Sequence, residues 1–291
     1  MSQIDARERL IGIGLVALSA AMFGVVDGLS KLLVAQATPA QIVFARYGFA
    51  LLLVLVTRRP SQLPQLLRTA RPGLQITRGL SPLVVSFGMV LAVTYLPLAD
   101  ATAILFAAPL LMVGLAGPML GERAPRATWL AVVVGFIGVL VVARPGFSVL
   151  SQYAVFPLAA AVFYAIYQLL TRRLSAAGER PMTTLAWTLG IGTIVSLPIA
   201  LFSWQPLDGT GWLLMVALGL AFAASQLTMI AGLVRTPVPL AASLNYVQII
   251  AAVGFGYAVF GEVPDLMSWA GIALVVAAGL YMIRLRTRAV G

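Results

Sequence analysis

Three charged residues lie inside otherwise apolar stretches and are the first candidates for chemistry. Asp27 and Lys31 stand four residues apart in the first stretch, and Arg46 lies in the second. An ionisable side chain costs about 2.5–3.5 kcal/mol within a bilayer, so it normally faces a cavity or a partner. We favour an ion pair between Asp27 and Arg46, with Lys31 on the same helix face as Asp27 and reaching outward. A role for Asp27 in binding a substrate or a coupling ion is the alternative, and Arg78, near the start of the third stretch, is expected to meet lipid phosphate.

Two glutamates follow glycines where the fourth and ninth apolar stretches end. Glu122 and Glu262 would lie on opposite sides of a membrane if every stretch crosses it once. Each carboxylate could act as a gate by accepting hydrogen bonds from neighbouring helix ends. The favoured alternative is a packed, capped helix end that supports a tight glycine turn.

Hydroxyl, amide and aromatic side chains occur at intermediate depth in several stretches. Amides and hydroxyls can hold an ammonium or a carboxylate, and aromatic rings suit an apolar group or a cation. For each of them, packing or a place in the aromatic belt at the membrane surface is the alternative. The candidates for a substrate cavity are Ser86, Tyr95, Thr102, Phe106, Tyr164, Gln168, Gln226, Ser243, Asn245, Tyr246 and Gln248.

Prolines and glycines inside the apolar stretches are candidates for hinges. Proline removes a helical hydrogen bond, and small residues let helices approach closely. These candidates are Pro82, Gly88, Pro109, Gly114, Gly232 and Gly254.

The chain has few of the side chains that enzymes use for catalysis or for binding metals. The chain contains no His and no Cys, which removes the commonest general base and the thiolate ligands. It also has no Walker-type phosphate loop. A membrane enzyme would depend on Asp27, Glu122, Glu262 and Asp265, of which the last three sit at helix ends. We therefore predict no catalysis, no metal and no cofactor, with a membrane enzyme or a purely structural membrane protein as alternatives.

The overall composition places these residues in lipid. Of 291 residues, 61% are hydrophobic and 10% are charged, and the mean hydropathy is +1.00. Soluble domains carry about 25% charged residues, so the lipid bilayer is the predicted partner of this surface. The net charge of +10 fits basic cytoplasmic loops better than nucleic-acid binding, which we do not expect.

An all-α integral membrane protein with ten transmembrane helices is predicted. A crossing needs roughly 20 apolar residues. With the N-terminus inside, nearly all arginines fall at cytoplasmic ends, and only Lys31 and Arg144 fall opposite, so both termini are predicted to be cytoplasmic. The ten expected segments are 10–33, 41–56, 73–96, 98–120, 128–143, 153–170, 182–202, 211–234, 238–260 and 266–283.

An internal repeat divides the chain at an offset of 140 residues. Five helices in each repeat give the second copy the opposite orientation, which is the architecture of many secondary transporters that work by alternating access. We therefore expect one repeat in residues 1–145 and an inverted one in residues 146–291. Matching residues include Pro97 and Pro237, Gly114 and Gly254, Gly121-Glu122 and Gly261-Glu262, and Trp129 and Trp269.

Several motifs carry a family resemblance. They are Ala20-Ala21-Met22-Phe23-Gly24 with Lys31, the run FARYGFALLLV from Phe44, and Leu96 to Ala101 continuing through Pro109 to Gly121-Glu122-Arg123. On these motifs the chain resembles the EamA-type transporters of the drug/metabolite transporter superfamily over essentially its whole length. Within the superfamily it is most similar to the bacterial aromatic amino-acid exporter group.

The resemblance implies a basket of ten helices, with a central cavity lined by helices 1, 3, 4, 6, 8 and 9 and with helices 5 and 10 at the periphery. It also implies a secondary transporter that exports amino acids or related metabolites across the bacterial inner membrane. We predict that the protein is a monomer. Import or export of another metabolite or of a drug is the alternative. The first half keeps the family's Pro109, whereas Ile249 occupies the matching position in the second, so the two halves need not kink alike.

Overall fold

The computed structural model describes residues 6–121, 126–144, 149–235 and 244–288, and every regular element among them is helical. Two short 3-10 turns, Pro60–Gln62 and Val149–Ala154, accompany the α-helices. The helices are α1 (Ala6–Leu33), α2 (Pro39–Val56), α3 (Leu63–Leu67), α4 (Pro72–Tyr95), α5 (Leu98–Leu105), α6 (Ala108–Leu120), α7 (Arg126–Ala143), α8 (Val155–Ala176), α9 (Pro181–Phe202), α10 (Gly209–Leu233), α11 (Val247–Phe260) and α12 (Leu266–Arg288).

Seven spans in the described residues are long and apolar enough to cross a membrane, and they coincide with the first four and the sixth to eighth predicted segments. The helices α7, α11 and α12 contribute shorter apolar stretches of 10–17 residues. An all-helical, multi-pass membrane protein is thereby supported. Ten crossings, inverted repeats and cytoplasmic termini stay predictions.

Large apolar side chains cover the outside of the bundle. This apolar surface is far larger than the apolar patches that soluble monomers expose to water. Lipid tails can solvate such a surface. Helix α7 illustrates the pattern, with outward-facing Leu130, Val133, Phe136, Ile137 and Leu140.

The fourth predicted segment is not one helix but two. Helix α5 ends at Leu105, the chain turns at Phe106 and Ala107, and α6 begins at Ala108. The physical reason is Pro109, which has no N–H for the carbonyl of Leu105 and therefore interrupts the helical ladder.

A turn lies at the matching place in the second half. Asn245 and Tyr246 form a turn ahead of α11, and the 140-residue offset places Phe106 on Tyr246. Here Ile249 has an N–H, which it donates to the carbonyl of Tyr246 at 3.0 Å, a bond to the third preceding residue. Both halves thus have a turn at the same position, although only the first has proline three residues after it.

The helices pack in four long pairs: α1 with α10, α4 with α8, α2 with α9, and α7 with α12. Backbones approach closely where glycines meet, since a Cβ added to Gly138 of α7 would lie 2.8 Å from the carbonyl oxygen of Gly271 of α12. These contacts fix the relative positions of the polar side chains inside.

Candidate functional site

A buried ion pair joins the first two helices. Asp27 of α1 and Arg46 of α2 are each 5% exposed. Arg46 Nη2 donates to Asp27 Oδ1 at 3.2 Å and to Ser30 Oγ at 2.8 Å. The second carboxylate oxygen of Asp27 accepts from Gln248 Nε2 of α11 at 3.2 Å. The carboxylate of Asp27 therefore links helices from both halves of the chain.

A hydroxyl pair extends this network to α4. Arg46 Nη1 lies 3.4 Å from Ser86 Oγ, which is 2.9 Å from the hydroxyl of Tyr47. The Tyr47 hydroxyl also lies 2.7 Å from the carbonyl oxygen of Pro82, inside α4. The ring of Phe222 from α10 lies 5.7 Å from the Arg46 guanidinium. We call Asp27, Ser30, Arg46, Tyr47, Ser86 and Gln248 the Asp27 cluster.

Arg78 does not meet lipid phosphate, and that expectation was wrong. The residue is 5% exposed because α8 and α9 pack over its side of α4. Its guanidinium donates to the hydroxyls of Thr171 at 2.7 Å, Thr188 at 2.5 Å and Tyr167 at 2.8 Å. Because Arg78 lies near the start of the third segment, we expected it at the membrane surface. The sequence does not reveal that two other helices cover it.

Lys31 and Glu262 form an ion pair across the two halves of the chain. Lys31 Nζ also donates to the carbonyl of Leu96 at 3.0 Å, and Glu262 Oε2 accepts from the N–H of Leu98 at 3.0 Å. Glu262 therefore caps the first turn of α5 while it neutralises Lys31. The gate and the packed helix end that were weighed for Glu262 both remain compatible with these contacts. Glu122 lies outside the described residues.

A second polar group lies at the same end of the bundle as Glu262, and the pairing of its residues was not predicted from the sequence. Asp265 pairs with Arg144 and accepts from the N–H of Ser268 at 2.9 Å at the start of α12. The hydrogen bond from Arg144 is the main reason that the pKa of Asp265 falls to about 2. The signal was the isolated position of Arg144 opposite to the other arginines.

Glu179 organises the opposite end of the bundle. Its carboxylate accepts from the hydroxyl of Thr69 at 2.7 Å, from the N–H of Ala70 at 3.0 Å and from Gln75 Nε2 at 3.3 Å. These bonds, that of Thr69 foremost, lower the pKa of Glu179. The contacts tie the α8–α9 connection to the start of α4, a pairing between distant parts of the chain that no local pattern revealed.

The remaining cavity candidates lie in different surroundings. Thr102 is fully buried and donates to the carbonyl of Leu98 at 2.8 Å, so its hydroxyl is used within α5. Gln168 Nε2 lies 3.4 Å from the hydroxyl of Tyr164. Tyr95 is 44% exposed at the end of α4, and its ring stacks on Tyr153 at 4.0 Å rather than lying at mid-depth.

The last candidates are Gln226 of α10, Asn245, Ser243 and the two aromatic residues Phe106 and Tyr246. Gln226 and Asn245 are half-buried, and Ser243 lies outside the described residues. The rings of Phe106 and Tyr246 contact each other with centroids 4.9 Å apart. A substrate-binding role for any of the candidates stays a prediction.

The candidate hinges divide into two kinds. A Cβ on Gly88 would lie 3.0 Å from the carbonyl oxygen of Phe156, and one on Gly232 would lie 2.7 Å from Val16 Cγ2, so both glycines serve close helix approach. Gly114 and Gly254 are exposed and have room for a side chain. Pro82 and Pro109 lie in α4 and at the start of α6.

No group of three or more acidic residues that could hold a metal ion occurs in the described part of the chain. The polar interior is built instead from one carboxylate, two guanidiniums, hydroxyls and amides. Such groups can bind a polar or charged small molecule without a cofactor.

Comparison with known proteins gives relatives that extend over most of the chain. The pseudopaline exporter CntI of Pseudomonas aeruginosa is 29% identical over 275 residues, which is 94% of this chain and 96% of the exporter. A riboflavin transporter of Vibrio cholerae is 26% identical over 249 residues, 85% of this chain and 83% of its own. An S-adenosylmethionine uptake transporter of Rickettsia felis is 26% identical over 277 residues, covering 94% of this chain and 92% of its own.

A solved crystal structure has a similar fold, with a TM-score of 0.64 and 20% sequence identity, over 98% of this chain and 99% of that one. The sequence model of the EamA-like transporter family matches twice, over residues 10–144 and again over residues 152–285. Because these matches cover both halves of the chain, the protein belongs to the EamA-like transporter family.

Proposed function

We propose that the protein is a secondary transporter that exports small metabolites, amino acids foremost, across the bacterial inner membrane by alternating access. The observation that carries the proposal is that the family model of these transporters matches each half of the chain. The contact between Phe106 and Tyr246, which hold the same position in the two halves, agrees with it. The relatives of the protein that are named above are transporters rather than enzymes.

The helix packing supports two five-helix repeats of opposite orientation, and the excess of arginine at one set of segment ends supports cytoplasmic termini. The 140-residue offset relates α1 to α8 and α4 to α10. The α1–α10 pair therefore maps onto the α8–α4 pair, while α2–α9 and α7–α12 map onto themselves. This is the pattern expected of two copies related by a pseudo-two-fold axis, in which each half can adopt the conformation of the other.

The polar interior supports a small charged or zwitterionic cargo. The Asp27 cluster and the candidates Tyr164 and Gln168 provide amide, hydroxyl, charged and aromatic surfaces suited to an amino acid. Riboflavin and S-adenosylmethionine form a second class of candidates, since relatives are named for them. The names of the relatives include an exporter and an uptake transporter, so direction is tested separately from cargo.

Counterflow in liposomes tests the function. Vesicles containing the purified protein are preloaded with an unlabelled compound and receive the labelled compound outside. The panel contains phenylalanine, threonine, methionine, riboflavin and S-adenosylmethionine. Accumulation above that in protein-free vesicles is expected for an amino acid. Accumulation of only riboflavin or S-adenosylmethionine would replace the amino-acid assignment, and no accumulation of any compound would contradict the carrier function for this panel.

Energy coupling is assigned by the same assay at varied pH. If protons drive the carrier through Asp27, Asp27→Asn flattens the pH dependence of transport driven by a proton gradient. If the ion pair with Arg46 is structural, the variant loses activity at every pH and keeps the shape of the profile. Oriented vesicles, with a gradient imposed in each direction, determine whether export is the favoured direction.

A further inference from the structure

Three charged residues are almost fully buried in the described part of the chain, namely Asp27, Arg46 and Arg78. Asp27 and Arg46 neutralise each other in their ion pair. The guanidinium of Arg78 therefore has no counterion among the almost fully buried residues.

Neutral acceptors alone surround Arg78 in the described residues. Besides the three hydroxyls, its Nη1 donates to the carbonyl of Thr184 at 3.2 Å, and its guanidinium lies 4.3 Å from the centre of the Tyr167 ring. None of the described carboxylates forms an ion pair with it. Nη2 carries two hydrogens, and its hydrogen bond to the Tyr167 hydroxyl uses one of them.

A guanidinium in such a place is incompletely compensated. Buried charges are normally paired, because neutral partners do not restore the solvation that is lost on burial. Hydrogen bonds from a cation to a carboxylate are roughly twice as strong as bonds between neutral groups, and the planar fork of arginine matches a carboxylate at two points. We propose that Arg78 binds a carboxylate of the transported molecule, an inference that rests on the proposed transport function and specifies its cargo.

The surroundings of Arg78 add an aromatic surface to this site. Tyr167 stacks on Tyr164 of the same helix, with centroids 5.9 Å apart and an angle of 26° between the rings. Gln168 lies beside them and contacts the Tyr164 hydroxyl. A carboxylate held at Arg78 would have its apolar or aromatic part against these rings. The site therefore fits a carboxylate that carries an apolar group.

The Asp27 cluster is anchored to a different level of α4 from Arg78. Arg78 and Ser86 are eight residues apart on α4, which at 1.5 Å per residue is about 12 Å along the helix. One carbon atom separates the two charged groups of an α-amino acid. The carboxylate at Arg78, rather than the ammonium, therefore defines the cargo, and an apolar monocarboxylate without an ammonium should bind as well.

A matched pair of probes tests the site by binding alone. The purified protein in nanodiscs is titrated with 3-phenylpropionate and with 3-phenylpropanamide, which differ in charge and little in shape. The wild type should bind the carboxylate roughly tenfold or more tightly than the amide, since a charged hydrogen bond contributes about 1.5–3 kcal/mol. Arg78→Gln should abolish this preference. Arg78→Lys should retain part of it, because lysine supplies the charge without the fork.

Arg235→Gln is the control, because it removes a partly exposed guanidinium that pairs with Glu8, outside both polar groups of the interior. It should leave the preference for the carboxylate intact. Thermal unfolding shows whether each variant is folded. If Arg78→Gln does not fold, Arg78→Lys is used in its place. A ratio of carboxylate to amide affinity in Arg78→Lys that equals the wild-type ratio overturns the proposal.

Other outcomes separate the site from the transport function. Equal binding of both probes by the wild type, binding of neither, or an equal loss of preference in Arg235→Gln and Arg78→Gln overturns the Arg78 assignment. Counterflow of a carboxylate compound that is insensitive to Arg78 substitution overturns it while the carrier function stands. Arg78-dependent binding without counterflow of any panel compound supports the site and contradicts the transport function.

Discussion

The rings of Phe106 and Tyr246 contact each other at a centroid distance of 4.9 Å and an angle of 37°, although 140 residues separate them in the chain. Both side chains are 8% exposed. Each occupies the turn at which a long apolar segment is interrupted, so the two interruptions face each other inside the bundle. Irregular backbone at membrane depth is tolerated where protein covers it or where it lines a cavity, and this contact provides such cover.

Gly279 of α12 makes room for this contact. A Cβ at Gly279 would lie 1.4 Å from the Tyr246 hydroxyl oxygen, so Gly279→Ala forces the ring to move. We expect a loss of about 1–3 kcal/mol, as for other overpacked cores, seen as a lower midpoint of thermal unfolding. Gly254→Ala is the control, since nothing lies within 4 Å of its added Cβ. An equal effect of the two substitutions would argue against this packing.

The Asp27–Arg46 pair should behave as a coupled unit. Asp27→Asn leaves a buried guanidinium without its anion, and removal of one member of such a pair typically costs about 3–5 kcal/mol. The double variant Asp27→Asn/Arg46→Gln removes both charges and should be more stable than Asp27→Asn. Thermal unfolding of the wild type, both single variants and the double variant measures the coupling. Additive effects would mean that the two side chains act independently.

Glu262 should respond differently to two substitutions. Glu262→Gln removes the charge opposite Lys31 but keeps an oxygen that can accept from the N–H of Leu98. Glu262→Leu removes both, and we expect it to be less stable than Glu262→Gln by about 1 kcal/mol, the usual value of a helix cap. Unfolding midpoints give the order.

Counterflow distinguishes the two roles that the sequence left open for Glu262. If Glu262 is only a packed helix end, Glu262→Gln transports at the wild-type rate. If the ion pair closes this end of the bundle, Glu262→Gln and Lys31→Met change the rate alike. Unequal effects of these two substitutions on transport would contradict a shared gate.

The Glu179 contacts predict a pH dependence at the opposite end. Hydrogen bonding lowers the pKa of Glu179 in the folded protein, so its stabilising effect is fully present above the unfolded value of about 4.3 and is lost as pH falls through the lower, folded pKa. Glu179→Gln should be less stable than the wild type at pH 7, and the difference should shrink below about pH 4.

Thermal unfolding across this pH range measures that difference. Glu8→Gln is a suitable control, because Glu8 pairs with Arg235 in an exposed ion pair, and exposed pairs contribute little to stability. A difference between Glu179→Gln and the wild type that is the same at pH 7 and at pH 3 would exclude the charge of Glu179 as its cause.

The sequence predicted the features that depend on composition and on spacing along one helix. The membrane class followed from the lack of polar residues to coat a surface, and the Asp27–Arg46 pair followed from matching depths on consecutive helices. Pro109 indicated a possible kink near Phe106, but we predicted one continuous segment there. Hydropathy does not detect a turn of two residues inside an apolar stretch.

Contacts between distant parts of the chain were not predictable in the same way. Lys31 was placed beside Asp27 by their four-residue spacing, whereas its partner is Glu262, which is 231 residues away. Arg78 was assigned to lipid because the sequence does not say which helices cover a given face. In both cases the deciding fact is tertiary packing, which one sequence without relatives does not encode locally.

The two interruptions differ in one respect that affects motion. At Pro109 the ring removes the N–H for good, so the carbonyl of Leu105 cannot regain a helical bond in any conformation. Ile249 keeps its N–H, which now bonds to Tyr246 and could shift by one residue to the carbonyl of Asn245. The interruption in the first half is therefore fixed by the covalent structure of proline, whereas no such block exists in the second. Two conformations in which the halves exchange roles would therefore differ in free energy. The protein would favour one of them even in the absence of cargo.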